Sequence, residues 1–331
     1  MMRCKLLIAG LLLAQVAIAQ EAASPVVIKG KPILTVFSNY KMGLGNTNDI
    51  SGFNLDRAFV GYEAFFDEGF SAKVVMNVET KTAEDGNTEF GTYLKNAQIN
   101  WSKNNFAISL GLVNLKQFSF QENVWGHRYV YKSFQEEHKF SYCEDIGVVA
   151  EYVFSPLLSA DVAITNGEGR KLKNADNNYR YGLGVSFYPI DHLTLRVYTD
   201  VYSKIKQEND YFTDLKDQHS LALFIGYSNN RLSLGAEFNK LYHSGFIKQN
   251  NLTGYSAYAT LNTNSKFSLY GRFDLLQSKN NWNANKDGNN FIVGLDYKPI
   301  KYVRLSPNFQ SWKGENQERQ NYLLLSAEFK L

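Results

Sequence analysis

Residues 70–80 read F-S-A-K-V-V-M-N-V-E-T, and this stretch decides the fold. Every second residue is apolar or small, at Phe70, Ala72, Val74, Met76 and Val78, whereas the positions between them are Ser71, Lys73, Val75, Asn77 and Glu79. Successive side chains of a β-strand point to opposite faces, so a period of two predicts a strand with one apolar face.

The same alternation recurs along the rest of the chain. It predicts sixteen strands, most of them close to the ~9–11 residues that cross a bilayer at a tilt. The predicted strands span 33–41, 54–66, 70–81, 92–102, 106–116, 146–154, 158–167, 179–189, 193–203, 219–228, 231–242, 253–263, 266–277, 290–298, 303–310 and 321–331. Short turns rich in Gly, Pro, Asn and Asp alternate with longer polar loops. This order predicts an all-β transmembrane antiparallel barrel with both termini on the short-turn side.

A water-soluble β-sandwich is the alternative fold, because its strands alternate as well. Its polar face would meet solvent and should be rich in charge. Here the polar face is mostly Gly, Ser, Thr, Asn and Tyr, which favours a wide, water-filled interior. Aromatic residues gather near predicted strand ends, for example Trp101 and Phe267 near short turns and Tyr179 and Tyr255 near long loops, as at two membrane interfaces.

Composition excludes several other classes of protein. With 44% hydrophobic residues, including 23 Phe and 21 Tyr, the chain can bury a large apolar surface, which excludes disorder. Beyond the first residues no apolar run is long enough for a membrane-spanning helix. The formal net charge of +3 is too small for a nucleic-acid partner.

The first residues resemble an export signal. Arg3 and Lys5 precede an apolar stretch that ends at Ala17-Ile18-Ala19, so we expect a cleaved signal peptide over 1–19, a short extension over 20–32 and the barrel over 33–331. Cleavage would leave Cys143 as the only cysteine, so no internal disulfide is expected. Export of a barrel predicts a location in the cell outer membrane, with lipid as a partner.

Three segments carry a family resemblance: FNLDRAFVGYEAFFDEGFSAKVVMNVET at 53–80, YLKNAQINW at 93–101 and FAISLGLVNLKQFSFQE at 106–122. They resemble the start of the porin superfamily that includes the phosphate-selective O and P porins, in the form found in Bacteroidota. The resemblance implies a sixteen-stranded outer-membrane porin, often a homotrimer. Leu331 ends the chain where such barrels usually end in an aromatic residue, and the basic cluster of phosphate-selective pores has no evident counterpart here.

The third long loop, 117–145, is the longest gap between predicted strands. Long loops in compact proteins are usually functional, and in porins the corresponding loop narrows the channel. We therefore expect it to form the pore constriction, although an outward flap or subunit latch remains an alternative. The candidate residues are Glu122, Trp125, His127, Arg128, Tyr129, Lys132, Glu136, Glu137, His138 and Lys139.

Inward positions of the strands provide the opposite wall of the lumen. The candidate wall residues are Arg57, Lys73, Glu79, Glu151, Asp161, Arg180, Arg196, Asp200, Glu237, Arg272, Asp274, Asp296 and Arg304. We expect Arg57, Arg196 and Arg272 to face loop carboxylates such as Glu136 and Glu137, because opposed charges across a throat orient polar solutes. The alternative is that charges pair along the wall, as Arg196 with Asp200 or Arg272 with Asp274.

Catalysis finds little support in the sequence. No G-x-S-x-G elbow or H-E-x-x-H motif occurs, and the five histidines show no close metal-ligand spacing, so no enzyme activity, metal or cofactor is expected. The predicted function is passive diffusion of ions and small hydrophilic solutes. A channel selective for anions or sugars, and a non-conducting barrel serving as an adhesin or membrane tether, remain alternatives.

Overall fold

The computed structural model describes residues 29–47, 50–82, 88–170, 177–204 and 215–331, so the expected signal peptide lies outside the described residues. They form sixteen strands and two α-helices. The strands are β1 (Lys29–Leu44), β2 (Ser51–Phe65), β3 (Phe70–Thr82), β4 (Thr88–Lys103), β5 (Phe106–Asn114), β6 (Glu144–Ser155), β7 (Leu158–Thr165), β8 (Arg180–Phe187), β9 (Leu193–Tyr202), β10 (Gln218–Ser228), β11 (Leu232–Tyr242), β12 (Leu252–Asn262), β13 (Phe267–Ser278), β14 (Gly288–Ile300), β15 (Val303–Gly314) and β16 (Gln320–Lys330). The helices are α1 (Lys116–Trp125) and α2 (Phe134–Glu137).

Each strand pairs with its neighbours in sequence, and the sheet closes on itself into a barrel. Closure comes from antiparallel pairing of β1 with β16, which runs from Thr35 opposite Lys330 to Leu44 opposite Asn321. The predicted sixteen-stranded antiparallel barrel is therefore confirmed. Neither helix in the described part of the chain is long and apolar enough to cross a membrane.

Several predicted boundaries are wrong, because many strands run further than their alternating cores. β1 begins at Lys29, so residues 29–32, predicted as part of the extension, belong to the barrel. β3 and β4 pair as far as Thr82 opposite Thr88, within the predicted loop 82–91. β15 extends to Gly314, beyond its predicted end at 310, so that only residues 315–319 separate it from β16. The ends of these strands are polar and continue the hydrogen-bonded ladder. Because they have no apolar face, the alternation of apolar and polar residues does not predict them.

The two faces of the sheet differ as alternation predicts. In β12, Ser256, Tyr258 and Thr260 are buried and point into the barrel, whereas Tyr255 and Leu261 are exposed on its outer surface. The outer face also presents Val197, with 49% of its surface exposed. A continuous apolar outer surface is what lipid requires of a transmembrane barrel.

Aromatic rings meet at both ends of the barrel. At the short-turn end, the ring of Trp101 lies 6.3 Å from that of Phe70 and 6.1 Å from that of Phe106. At the long-loop end, the rings of Tyr40 and Phe53 lie 4.8 Å apart. Aromatic side chains at two levels of the outer surface are typical of the two interfaces of a membrane.

Two β-bulges turn charged residues inward. Pairing of β1 with β2 shifts register between Phe37 and Ser38, which leaves Asp56 as the extra residue of β2. Asn39 donates a hydrogen bond of 2.6 Å to its carboxylate. Pairing of β3 with β4 shifts between Val75 and Met76, which leaves Lys95 as the extra residue of β4. Strict alternation would place both charges on the outer face, where lipid would penalise them.

The outward position of Val197 gives a test of membrane embedding. Val197→Arg should lower the free energy of unfolding in lipid vesicles by about 2–4 kcal/mol, because the charge meets the bilayer near its middle. Val197→Leu is the matched control and should change it little. Urea titration of barrels folded into vesicles measures both variants, and equal stabilities would contradict lipid contact at this face.

Candidate channel constriction

The loop between β5 and β6 spans 115–143 and lies inside the barrel. Glu144 and Asp145, assigned to this loop from sequence, instead begin β6. The loop is not irregular throughout, since α1 and α2 occupy part of it. Gly126 ends α1 in a left-handed conformation with φ of 66°, which glycine adopts without strain.

α1 packs against the inner face of β10, β11 and β12. The Tyr258 hydroxyl of β12 donates a 3.1 Å hydrogen bond to the Gln121 carbonyl on α1. Trp125, at the end of α1, is 1% exposed and packs edge-on against the rings of Tyr258 and Tyr270. Trp125 therefore anchors the loop to the wall.

Arg272 of β13 also holds the loop, but not through a loop carboxylate. Its Nε donates to both oxygens of Asp274, at 2.8 and 3.0 Å, and its Nη1 donates to the Lys132 carbonyl at 2.8 Å. Its guanidinium lies 5.0 Å from the Trp125 ring centroid. The expected contact of Arg272 with Glu136 or Glu137 is wrong, and the alternative pairing with Asp274 is present.

Arg304 of β15 fixes the segment that follows α1. It bonds Asp296 with its Nη2 at 2.6 Å and donates from Nη1 to the Gly126 carbonyl at 2.7 Å. Its Nη2 also lies 2.9 Å from Nδ1 of His127, and the hydroxyl of Tyr129 donates to Asp296 at 2.8 Å. Burial, aided by the charge of Arg304, lowers the pKa of His127 to about 3. His127 is thus neutral, and its Nδ1 accepts the hydrogen bond.

Of the three contacts predicted between a wall arginine and a loop carboxylate, the one between Arg57 and Glu136 is present among the described residues. Arg57 of β2 donates from Nη2 to Oε1 of Glu136 at 2.9 Å, and Arg128 donates from Nη2 to the same oxygen at 2.8 Å. Arg128 also pairs with Glu122 at 2.9 Å. Although burial opposes ionisation, the charges of Arg128 and Arg57 lower the pKa of Glu136 to about 2. The carboxylate therefore joins the loop to the β2 wall as an anion.

A further cluster at the loop's C-terminal end was missed by the sequence analysis. Glu144 pairs with Lys95 of β4 and, at 2.8 Å, with Arg170, which follows β7. Arg170 in turn reaches Glu79 of β3 at 3.1 Å. Lys95 was missed because alternation assigns it to the outer face, whereas a bulge turns it inward. A lysine within an otherwise apolar strand face could have indicated this bulge.

The remaining predicted wall residues pair mostly with one another. Arg196 donates to Asp161 at 2.6 and 3.1 Å, so its expected pairing with a loop carboxylate is wrong, as is the alternative with Asp200. Asp200 instead accepts from Ser220 at 2.7 Å and lies 3.8 Å from Arg180. The other contacts are Lys116 with Glu151 at 2.6 Å, and Asn239 donating to Glu237 at 2.9 Å.

The side chains of the other four loop candidates lie away from these clusters. Glu137 pairs with Lys132 at 3.4 Å, and both side chains are about a third or more exposed. Lys139 is exposed. His138 packs against the Phe134 ring at 4.4 Å, and burial lowers its pKa.

Burial also raises the pKa of Cys143 to about 12, so its thiol stays protonated. No group of three or more potential metal ligands occurs among the residues that the structure describes.

A cavity of about 660 Å³ opens between the loop and one side of the barrel. Its strand residues come from β1–β6 and β14–β16, opposite the wall on which α1 is seated. Three acidic side chains line it, Glu122, Glu144 and Glu328. Seven basic side chains line it, namely Lys73, Lys95, Arg128, Lys298, Lys301, Arg304 and Lys330. The opening is therefore basic, although the inward charges of the whole wall are mixed.

The fold is similar to those of solved outer-membrane channels. An anion-selective porin from Comamonas acidovorans aligns with a TM-score of 0.67 and 12% identity over 92% of this chain and 99% of its own. OmpF of Salmonella typhi, in complex with daunomycin, aligns with a TM-score of 0.67 and 11% identity over 92% and 98%. The outer-membrane channel DcaP of Acinetobacter baumannii aligns with a TM-score of 0.63 and 11% identity over 93% and 99%.

No family model and no curated protein matches the sequence. Identities of 11–12% to the solved structures establish a shared fold. The function must therefore be argued from this chain's own residues.

Glu136→Gln should loosen the loop from the wall. Removal of one partner from a largely buried charge cluster costs about 3 kcal/mol, so amide hydrogen exchange in 116–137 should accelerate by roughly 100-fold. Glu137→Gln is the matched control on the same helix, since its pair with Lys132 is substantially exposed. Hydrogen exchange read by mass spectrometry compares them, and equal exchange would contradict the role of the Glu136 cluster.

Acid should release the loop over two overlapping pH windows, of which that of His127 begins at the higher pH. His127 has a lowered pKa in the seated loop, so the stability it contributes declines as the pH falls from about 6.5 to about 3. Glu136 also has a lowered pKa, and its contribution declines from about 4.5 to about 2. Hydrogen exchange of the loop between pH 7 and pH 2 measures both. His127→Gln should remove the upper window only and Glu136→Gln the lower only; unchanged profiles would contradict the assignment.

Proposed function

We propose that this protein is a porin of a Gram-negative outer membrane, through which ions and small hydrophilic solutes diffuse passively. The observation that carries the proposal is the cavity of about 660 Å³ beside the seated loop. A sixteen-stranded barrel is wide enough for an aqueous channel, and its apolar outer face suits lipid. The similar folds of three outer-membrane channels and porins add support.

The loop 115–143 acts as the constriction in this proposal. It is held at several points by Arg57, Arg272 and Arg304, which lie on three different strands. A tethered loop keeps a fixed opening, because each tether would have to break before the loop could move. The outward-flap alternative lacks this support, since these loop contacts are with inward-facing side chains.

The basic lining supports a preference for anions. Lys73, Lys298 and Lys330 line the cavity, and no carboxylate of the described residues lies within 4 Å of their ammonium groups. Unpaired positive charge in a narrow aqueous opening raises the local concentration of anions. Folding brings together basic residues that are not clustered in the sequence. This supports, as part of the proposal, a relationship to the phosphate-selective O and P porins of Bacteroidota.

Export and assembly complete the proposed function. Cleavage after Ala19 would release the mature chain, and a short N-terminal segment would precede β1. The family resemblance supports a homotrimer in the outer membrane. Both are proposals that mass spectrometry of the native protein, intact and in detergent, can test.

Planar-bilayer conductance tests the function directly. The refolded mature protein should give stable steps in KCl, and a tenfold gradient should make the dilute side negative, as an anion-preferring pore requires. Inserted barrels that pass no current would overturn the proposal and favour the adhesin or tether alternative.

Replacement of lining lysines should change the selectivity. Lys73→Gln with Lys330→Gln should lower the chloride-to-potassium permeability ratio by roughly twofold or more, because both ammonium groups line the opening. Lys266→Gln, in a short turn outside the lining, is the matched control. An unchanged reversal potential in the double variant would contradict the assignment. Arg196 and Arg272 are not the residues to test, since both are buried against wall carboxylates.

A further inference from the structure

The cavity beside the loop has an apolar side as well as a basic one. Ile33 and Phe37 of β1, Phe59 of β2 and Val75 of β3 line it from the barrel wall, and Phe118 of α1 lines it from the loop. We call these five residues the apolar patch. Phe37, Phe59 and Val75 belong to one packed cluster, with Ile33 against it, so their surface is continuous.

Strand pairing explains this continuity. Phe59 and Gly61 are neighbouring inward positions of β2. Phe59 lies opposite Thr35 of β1, and Gly61 lies opposite Ile33 of β1 and Val75 of β3. Because Gly61 has no side chain, the Ile33 and Val75 side chains meet the cavity on either side of it. The rings of Phe37 and Phe59 pack edge-to-face with centroids 6.0 Å apart.

Basic groups border the apolar patch closely. The ammonium of Lys95 lies 5.1 Å from the centroid of the Phe59 ring, and the guanidinium of Arg128 lies 5.9 Å from it. Lys73 lies on the same inward face of β3 as Val75, two residues before it and nearer the short turn. Lys95 and Arg128 are paired with carboxylates, so Lys73 is the cation within reach of a solute that touches the apolar patch.

From this juxtaposition we infer that the opening selects organic anions with an apolar body, such as aromatic or branched-chain carboxylates. The inference rests on the proposed porin function and names its preferred solute class. An inorganic anion uses only the basic groups and leaves the exposed edge of the apolar patch, chiefly Ile33, in water, since the other four side chains are less than a tenth exposed. An aryl or branched alkyl carboxylate covers this exposed edge, which is favourable because apolar surface leaves water. Its carboxylate meets Lys73, since Lys95 and Arg128 are already paired with Glu144 and Glu136.

Size and charge agree with this class of solute. A volume of about 660 Å³ lies within the ~300–1,000 Å³ typical of small-molecule sites. A neutral sugar would leave the excess of basic over acidic lining groups unused.

Single-channel recordings in KCl test the inference with 3-phenylpropionate as the probe. It should cause concentration-dependent, transient current blocks. Three matched compounds separate the two requirements: propionate has the charge without the ring, 3-phenylpropanol has the ring without the charge, and 3-phenylpropylammonium has the opposite charge. Each should need at least a tenfold higher concentration to block equally.

Two substitutions test the residues. Ile33→Thr keeps a β-branched side chain but removes apolar surface, and should weaken the block by 3-phenylpropionate about threefold, whereas Ile33→Val should retain it. Lys73→Gln should weaken the block by 3-phenylpropionate and by propionate alike. Lys266→Gln, outside the lining, is the control for loss of one positive charge.

The outcomes separate this inference from the porin function on which it rests. KCl steps with equal block by 3-phenylpropionate and propionate would overturn the apolar requirement and leave an ordinary anion-preferring porin. KCl steps with equal block by the acid and the alcohol would overturn the charge requirement. Inserted barrels without KCl steps would overturn the porin function itself, and the solute preference with it.

Discussion

Pairing of the first strand with the last is the constraint on which the rest of the structure depends. A sheet in hydrocarbon cannot leave its edge N–H and C=O groups without partners, since each would cost several kcal/mol. The pairing of β1 with β16 removes both edges at once. Closure also separates the alternating side chains into an outer and an inner surface. A period of two in the sequence therefore distinguishes residues that face lipid from residues that face the interior of the barrel.

Closure of sixteen strands leaves an interior wider than wall side chains can fill, and the third loop occupies part of it. The loop is positioned chiefly by arginines that bond in two directions. Arg272 and Arg304 each bond a wall carboxylate with one part of the guanidinium and donate to a loop carbonyl with another. The fork of an arginine suits this task, because its donors are fixed in one plane. A lysine could satisfy the carboxylate but could not fix the loop in the same way.

The sequence was sufficient for what depends on local pattern. Alternation predicted the number of strands, their order and which face of each meets lipid, because these follow from neighbouring residues alone. It failed at Asp56 and Lys95, where a bulge adds one residue and reverses the alternation. In the sequence, such a bulge is indicated by a charged residue within an otherwise apolar strand face.

Partners of the wall arginines could not be predicted in the same way. Arg196 bonds Asp161, which lies two strands away on β7, and not Asp200 on its own strand. That choice depends on the stagger between strands: Ser186 of β8 lies opposite Arg196, and Gly184 of β8 lies opposite Asp161. With Gly184 lacking a side chain, the guanidinium reaches across β8 to Asp161. Local alternation places a residue on a face but carries no information about stagger.

The position of the loop, more than the overall charge of the wall, sets the chemistry of the opening. Asp161, Asp200, Glu237 and Asp274 all lie on β7–β13, and all are at most 5% exposed. Because α1 is seated on this side, these carboxylates are paired or covered, and the cavity is lined by β1–β6 and β14–β16 instead. A wall with mixed charge thereby yields a basic opening. The same position of the loop leaves Ile33 partly exposed to the cavity, beside the buried side chains of Phe37, Phe59 and Val75. The wall that the loop covers therefore sets both the charge and the apolar character of the cavity lining.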